Sequence, residues 1–244
     1  MGADISLDRL AMRARPPGSP MMEQNWNGIL FLHWPMQEAA IRHLVPPALE
    51  IDTFDNSAWI GVTPFDLSGL RLYPMPPIPG ISSFEEINVR TYVYHQGIPG
   101  IYFFSLDASK LLPALAARVF YQLPYYAAHI EFSKSNGEYQ FKARRSLSPS
   151  IGFSAKWRRG MRLRAPDTES LAFFLVERYC FFTETAGSLS MTRAYHAPWI
   201  LEEAVMQSCE STLLGALGLP EPSGEPLTHF SEGVNVQIWP PVPV

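Results

Sequence analysis

At 244 residues the chain has the length of one large domain or two small ones, and 47% hydrophobic with 13% aromatic residues is far from the composition of a disordered chain. A net charge of −4 with 17% charged residues argues against a nucleic-acid or membrane-surface binder, because phosphate recognition needs a concentrated basic patch. Cys180 and Cys209 are too few and too far apart for a disulfide framework or a zinc site, which fits a reducing cytoplasm.

In chain order, residues 1–21 lack the apolar core of a signal peptide and end in a Pro/Gly/Ser cluster. They read as a flexible leader, with a single domain over 22–244. Proline and glycine then punctuate short β-branched and aromatic runs, the pattern of a β-rich fold. Strands are expected over 26–34, 58–65, 86–94, 101–107, 126–133, 138–145, 151–157, 171–183, 188–196 and 233–239, with hairpin turns at SNG (135–137) and AGS (186–188). Helices are expected at PMQEAAIRHLVP (35–46), at PALAARVFYQL (113–123) and from Pro198 towards Gly215 or Gly218. Irregularly spaced helices among antiparallel strands give an α+β, mainly β architecture rather than alternating βαβ units. The proline loop GLRLYPMPPIPG (69–80) is a candidate rim or lid.

No GxSxG elbow, Gly-rich phosphate loop, HExxH or CxxC is present, and the histidines at 33, 43, 95, 129, 196 and 229 never fall at ligand spacing. Neither a metal nor a cofactor is expected. No run is long enough to span a bilayer. The basic stretch Lys156, Arg158, Arg159, Arg162 and Arg164 is a solvated face or an anion site.

The segment FEEINVRTYVYHQGIPGIYFFSLDA carries the most chemistry. With HQGIPG as its connection, Tyr94 faces Ile101, Arg90 faces Ser105 and Asn88 faces Asp107. Strand alternation then puts Glu86, Asn88, Arg90, Ser105 and Asp107 on one face. That row either faces water or lines a lumen, and a one-residue slip in register would exchange the faces of one strand. Arg118 is an exposed helix residue or an anion clamp. Tyr125 and Tyr126, just past Pro124, are core or rim residues or hydrogen-bonding groups in a site.

FEEINVRTYV, GIPGIYFFSLDA and AARVFYQLPYYAA resemble the YqjF-like family of uncharacterised bacterial proteins, a domain of unknown function. HLVPPALEIDTFDNSAWIGVTPF, GSLSMTRAYHAPW and HFSEGVNVQIW extend the match over nearly everything after residue 22. That family is similar in turn to the acetoacetate decarboxylase superfamily, which implies an antiparallel cone-shaped β-barrel with peripheral helices and an interior ligand pocket. AAIRHLVPPALEID looks like the decarboxylases' own stretch, and LPYYAA falls where they carry proline and paired lysines. Their first lysine forms a Schiff base with a β-keto acid. Tyr125 in that place implies that imine chemistry is lost. The only lysines are Lys110, Lys134, Lys142 and Lys156, of which Lys142 alone, in mid-strand, is left open. The decarboxylases' assisting glutamate has no secure counterpart and is not mapped onto Glu86.

Two functions from different classes follow. In the first, a lyase, hydratase or isomerase acts on a small oxo-acid, with Glu86, Asp107 and Tyr125 as candidate catalytic groups and Asn88, Arg90, Ser105, Arg118 and Tyr126 as candidate ligand-binding residues. In the second, the chain binds a small, partly apolar ligand without catalysis, using Trp26, Trp59, Phe103 or Tyr125 as pocket walls. An assembly scaffold would instead have a filled barrel. The partner is a small molecule, with a carboxylate among the candidates, and homo-oligomer formation stays open.

Overall fold

The computed structural model describes residues 7–110 and 121–244. The chain runs β1 (Met22–Met36), α1 (Glu38–Ile41), β2 (Glu50–Ile51), β3 (Ala58–Leu72), β4 (Phe84–His95), β5 (Ile98–Ala108), β6 (Tyr125–Ser135), β7 (Glu138–Arg145) and β8 (Gly152–Arg162). It continues through α2 (Leu171–Val176), β9 (Cys180–Thr185), β10 (Ser188–His196), β11 (Glu202–Ser211), β12 (Leu227–Ile238) and β13 (Val242–Pro243). Most of the expected helix at 113–123, including Arg118, lies outside the described residues.

Hydrogen bonding closes the sheet twice. One ring of nine strands runs β5-β6-β7-β8-β11-β12-β1-β3-β4 and back to β5. A second ring runs β12-β1-β3-β4-β5-β9-β10 and back to β12, so the two share five strands. Because successive side chains in a strand point to opposite faces, the shared strands feed two interiors. Leu30, Leu32, Val62 and Val89 join one apolar cluster, while Ile29, Phe31, Phe65 and Leu67 join the other. The nine-strand ring is filled by aromatic rings, with Tyr139 centred 5.3 Å from Trp157 and 4.8 Å from Phe230. On its outer surface two arginines of the basic stretch of β8 are paired. Arg158 pairs with Glu138, and Arg159 pairs with Glu202 and Glu232.

Three expected elements are corrected. The segment after Pro198 is strand β11, paired along β8 and touching β12 at Glu202, so it bridges the nine-strand ring instead of forming a helix. Its broken apolar stripe is the signature of a strand with one buried edge, and ring closure outweighs helix propensity. The long strand expected over 171–183 divides. Ser170 caps α2 by accepting the Phe173 N–H at 3.3 Å, and only from Cys180 does the chain become extended. The first helix is confined to Glu38–Ile41 and a following 3-10 turn, because Pro35 pairs with Trp59 inside β1. Turns at Asn136-Gly137 and Ala186-Gly187 have positive φ at both residues, as two-residue hairpins require.

Residues ahead of β1 are tied to the second ring. Arg9 bonds Asp52 at 2.6 Å, Arg193 donates to the Met12 carbonyl at 2.6 Å, and the Trp239 indole donates to the Pro17 carbonyl at 3.1 Å.

Candidate functional site

The second ring encloses a cavity of about 270 Å³. Glu86, Asn88 and Arg90 line it from β4, Thr63 and Phe65 from β3, and Tyr125 from the start of β6. Trp26 and Phe103 also line it, whereas Trp59 belongs to the packed core beside it. The β4 row therefore faces a lumen and not water. Glu86, Asn88 and Arg90 are 4%, 4% and 7% exposed.

The far half of that row is corrected. Gln96 and Gly97, both at positive φ, make a two-residue turn, so His95 pairs with Ile98 and Arg90 with Phe103. This offset alone would keep the expected faces. A bulge between Val89 and Arg90 then takes up one extra residue of β5, giving Val89 opposite Ser105 and Ile87 opposite Asp107. Ser105 and Asp107 consequently sit on the face away from the cavity. Parallel pairing aligns Asp107 with Tyr126 and Leu106 with Tyr125, so the two tyrosines also part company. Asp107 accepts Nε and Nη2 of Arg145 at 2.8 and 2.9 Å, and the Arg145 guanidinium lies 3.7 Å from the centre of the Tyr126 ring. The structure thus gathers Glu86, Asn88, Arg90 and Tyr125, and sets Asp107, Tyr126 and Arg145 apart as a second cluster.

Within the cavity the Tyr125 hydroxyl donates to Glu86 Oε2 at 2.7 Å. Burial pushes the Glu86 carboxyl up to about 7, against smaller opposing pulls from the hydrogen bonds of Tyr125 and Asn88. Burial and the neighbouring Glu86 hold the Tyr125 phenol well above its ordinary value, so it stays a neutral donor. Arg90 lies across Gly61 on β3, with its Cγ and Nε 3.4 Å from where a Cβ at that glycine would stand, and His33 Cδ2 is 3.2 Å from the same point. A side chain at 61 would crowd both residues. Among the described residues no carboxylate lies within ion-pairing distance of Arg90, whose guanidinium carbon is 5.6 Å from the centre of the Phe31 ring. His33 is held neutral below it, first by burial and then by the Arg90 charge.

Sequence reasoning missed three wall residues. Thr63 is buried with its hydroxyl unpartnered among the described residues. Arg178 forms an ion pair with Asp52 at 2.9 Å, and His196 sits between the carbonyls of Ala197 and Arg178, with ring nitrogens 2.8 and 3.2 Å from them. Burial lowers the His196 pKa. A charged residue inside the apolar run LAFFLVERYCFF was the available signal for Arg178. Among the described residues no three of His, Cys, Asp and Glu group closely enough to hold a metal ion, and no helix is long and apolar enough to cross a membrane.

Comparison with solved structures places this fold among acetoacetate decarboxylase-like enzymes. The enduracididine biosynthesis enzyme MppR complexed with pyruvate superposes with a TM-score of 0.67 at 11% identity, over 93% of this chain and 91% of that one. An acetoacetate decarboxylase-like enzyme from Sphingomonas wittichii RW1 gives 0.65 at 12% identity, over 96% and 98%. Acetoacetate decarboxylase from Legionella pneumophila gives 0.62 at 14% identity, over 97% and 94%. In sequence, the chain is 38% identical over 225 residues to the uncharacterized protein YqjF of Bacillus subtilis (strain 168), covering 92% of this chain and 93% of that protein. The model of the DUF2071 family, described as uncharacterized conserved proteins, matches residues 23–235. The chain therefore belongs to the DUF2071 family, on an acetoacetate decarboxylase-like barrel.

Proposed function

We propose that the cavity is the active site of an enzyme that moves a proton at the carbon next to the carbonyl of a small oxo-acid, without a Schiff base. The observation that carries this reading is Glu86: a buried carboxyl brought to about 7 and hydrogen-bonded to Tyr125, in a cavity that also holds Arg90. A group titrating near neutrality can both take and return a proton. Ionised Glu86 would remove a proton from that carbon, and the C–H electron pair would pass to the oxo oxygen to give an enolate. Arg90 would hold the substrate carboxylate and Asn88 would supply a hydrogen bond towards the developing oxyanion, while Tyr125, whose one hydroxyl proton goes to Glu86, would orient the Glu86 carboxylate. Protonated Glu86 would then return the proton to carbon in an isomerase, or give it to a departing hydroxyl in a dehydrating lyase, releasing water.

The loss of imine chemistry is supported by the wall composition. Among the described residues no lysine lines the cavity, and Lys134, Lys142 and Lys156 are exposed on the other ring. Lys110 donates to the Gly80 carbonyl at 2.5 Å. The related fold of MppR, solved in complex with pyruvate, makes an oxo-acid a reasonable class to try first. A second reading, a binding protein without turnover, is favoured by the predominance of apolar side chains such as Phe65, Leu67, Phe84 and Leu106 in the walls.

The test is exchange of the C3 protons of pyruvate and 2-oxobutanoate for solvent deuterium, followed by NMR. Enzyme-dependent exchange that falls at least 100-fold in Glu86→Gln supports the proposal. Exchange equal in wild type and Glu86→Gln, or a borohydride-trapped lysine adduct with the oxo-acid, contradicts it.

A further inference from the structure

The strand register gives the cavity an axis, and the chemistry of its walls changes along it. At one end Arg90 pairs with Phe103, and one step on Asn88 is flanked by Thr63 and Leu106. Glu86 with Phe65 comes next, then Phe84 with Leu67 and Trp26. Past these, Leu72 pairs with Met22, and the Leu70 N–H donates to the Ser82 carbonyl, which brings the proline loop over the same end. From Arg90 to Phe84 is six residues of strand, about 20 Å at the ordinary rise of ~3.4 Å per residue.

The polar wall groups are thus concentrated at the Arg90 end. At the opposite end Arg71 is neutralised by Glu23, the Ser82 hydroxyl accepts the Ile78 N–H at 2.7 Å, and Gln24 is the other polar side chain. The proline loop adds Leu72, Met75 and Ile78, which line the cavity and yet are 48%, 50% and 54% exposed. Side chains that wet apolar surface on both sides form a mouth and not a sealed core. The volume of about 270 Å³ also exceeds the need of a three-carbon acid. On the same measure one water needs roughly 10–15 Å³.

We infer that the ligand is an elongated amphipathic oxo-acid, with its carboxylate at Arg90 and an unbranched apolar tail running past Glu86 and over Phe84 and Leu67 towards the loop mouth at Met75 and Ile78. This rests on the proposed function only in taking Arg90 as the anchor of a ligand carboxylate. A tail of this kind removes apolar wall from water as it lengthens, and each buried methylene tightens binding on the order of threefold to fourfold.

The experiment is calorimetric titration of the wild-type chain with pyruvate, 2-oxohexanoate, 2-oxooctanoate and 2-oxodecanoate, with 1-octanol against octanoate as the charge control. The expected result is a Kd that falls about threefold per methylene up to at least 2-oxooctanoate, and octanol at least tenfold weaker than octanoate. Arg90→Gln should abolish the preference for octanoate. Should that variant not fold, the acid-against-alcohol comparison on the wild type makes the same decision. A flat chain-length series, or octanol binding as tightly as octanoate, overturns the inference. Deuterium exchange with a flat series would sink the tail while the catalytic proposal stands. A steep series without exchange would sink the catalysis and leave the ligand class standing.

Discussion

Tyr125, at the start of β6, reaches past β5 to place its hydroxyl 2.7 Å from Glu86 Oε2 on β4. The hydrogen bond favours the ionised carboxylate and so opposes the burial that raises its pKa. Tyr125→Phe should therefore raise the Glu86 midpoint by about 1–2 units, the equivalent of the ~1.5–3 kcal/mol that a hydrogen bond to a charged group is worth. The acidic arm of any pH–rate profile should move up with Glu86. A profile whose acidic arm is unchanged in Tyr125→Phe would detach the two groups.

The same carboxyl makes stability depend on pH. Its folded value of about 7 lies above the ordinary 4.5, so folding binds a proton that the unfolded chain releases. The contribution is fully present below pH 4.5 and is lost as pH rises through about 7. The difference of about 2.5 units at ~1.36 kcal/mol per unit is a loss of about 3 kcal/mol between pH 4 and 8. Glu86→Gln should flatten this component, which urea unfolding of the two proteins across that range would measure.

Asp107 and Arg145 form a buried bidentate pair on the face away from the cavity. Removing one partner strands a buried charge, so Asp107→Ala should destabilise the chain by about 3–5 kcal/mol. Binding of the oxo-acids should change less than twofold in the folded fraction. A large loss of affinity with stability intact would return Asp107 to the site.

Asp52 bridges the buried Arg178 and the partly exposed Arg9. Asp52→Ala should cost about 3–5 kcal/mol because Arg178 is left without its counter-charge, whereas Arg9→Ala should cost no more than about 1 kcal/mol. Chemical denaturation of both variants checks the asymmetry. Equal losses would mean that Arg178 does not depend on this pair.

How much of this was legible in the sequence depended on how local the cause was. Two-residue turns such as Asn136-Gly137 announce themselves, and β7 and β10 were expected at their observed bounds. The β4 row was also readable, because alternation along one strand needs no partner. What failed was non-local. The bulge beside Arg90 is invisible in either strand alone, yet it moves Ser105 and Asp107 to the other interior. β11 exists as a strand because β8 and β12 leave a gap that it fills. Arg178 was absorbed into an apolar run, since its counter-charge Asp52 lies far away in sequence.

The most direct measurement is the titration of Glu86 itself, by NMR of carboxyl-13C glutamate with the resonance assigned by its absence in Glu86→Gln. A midpoint near 7 is expected for a carboxyl poised to exchange protons in the cavity. A midpoint near the ordinary 4.5 would contradict it.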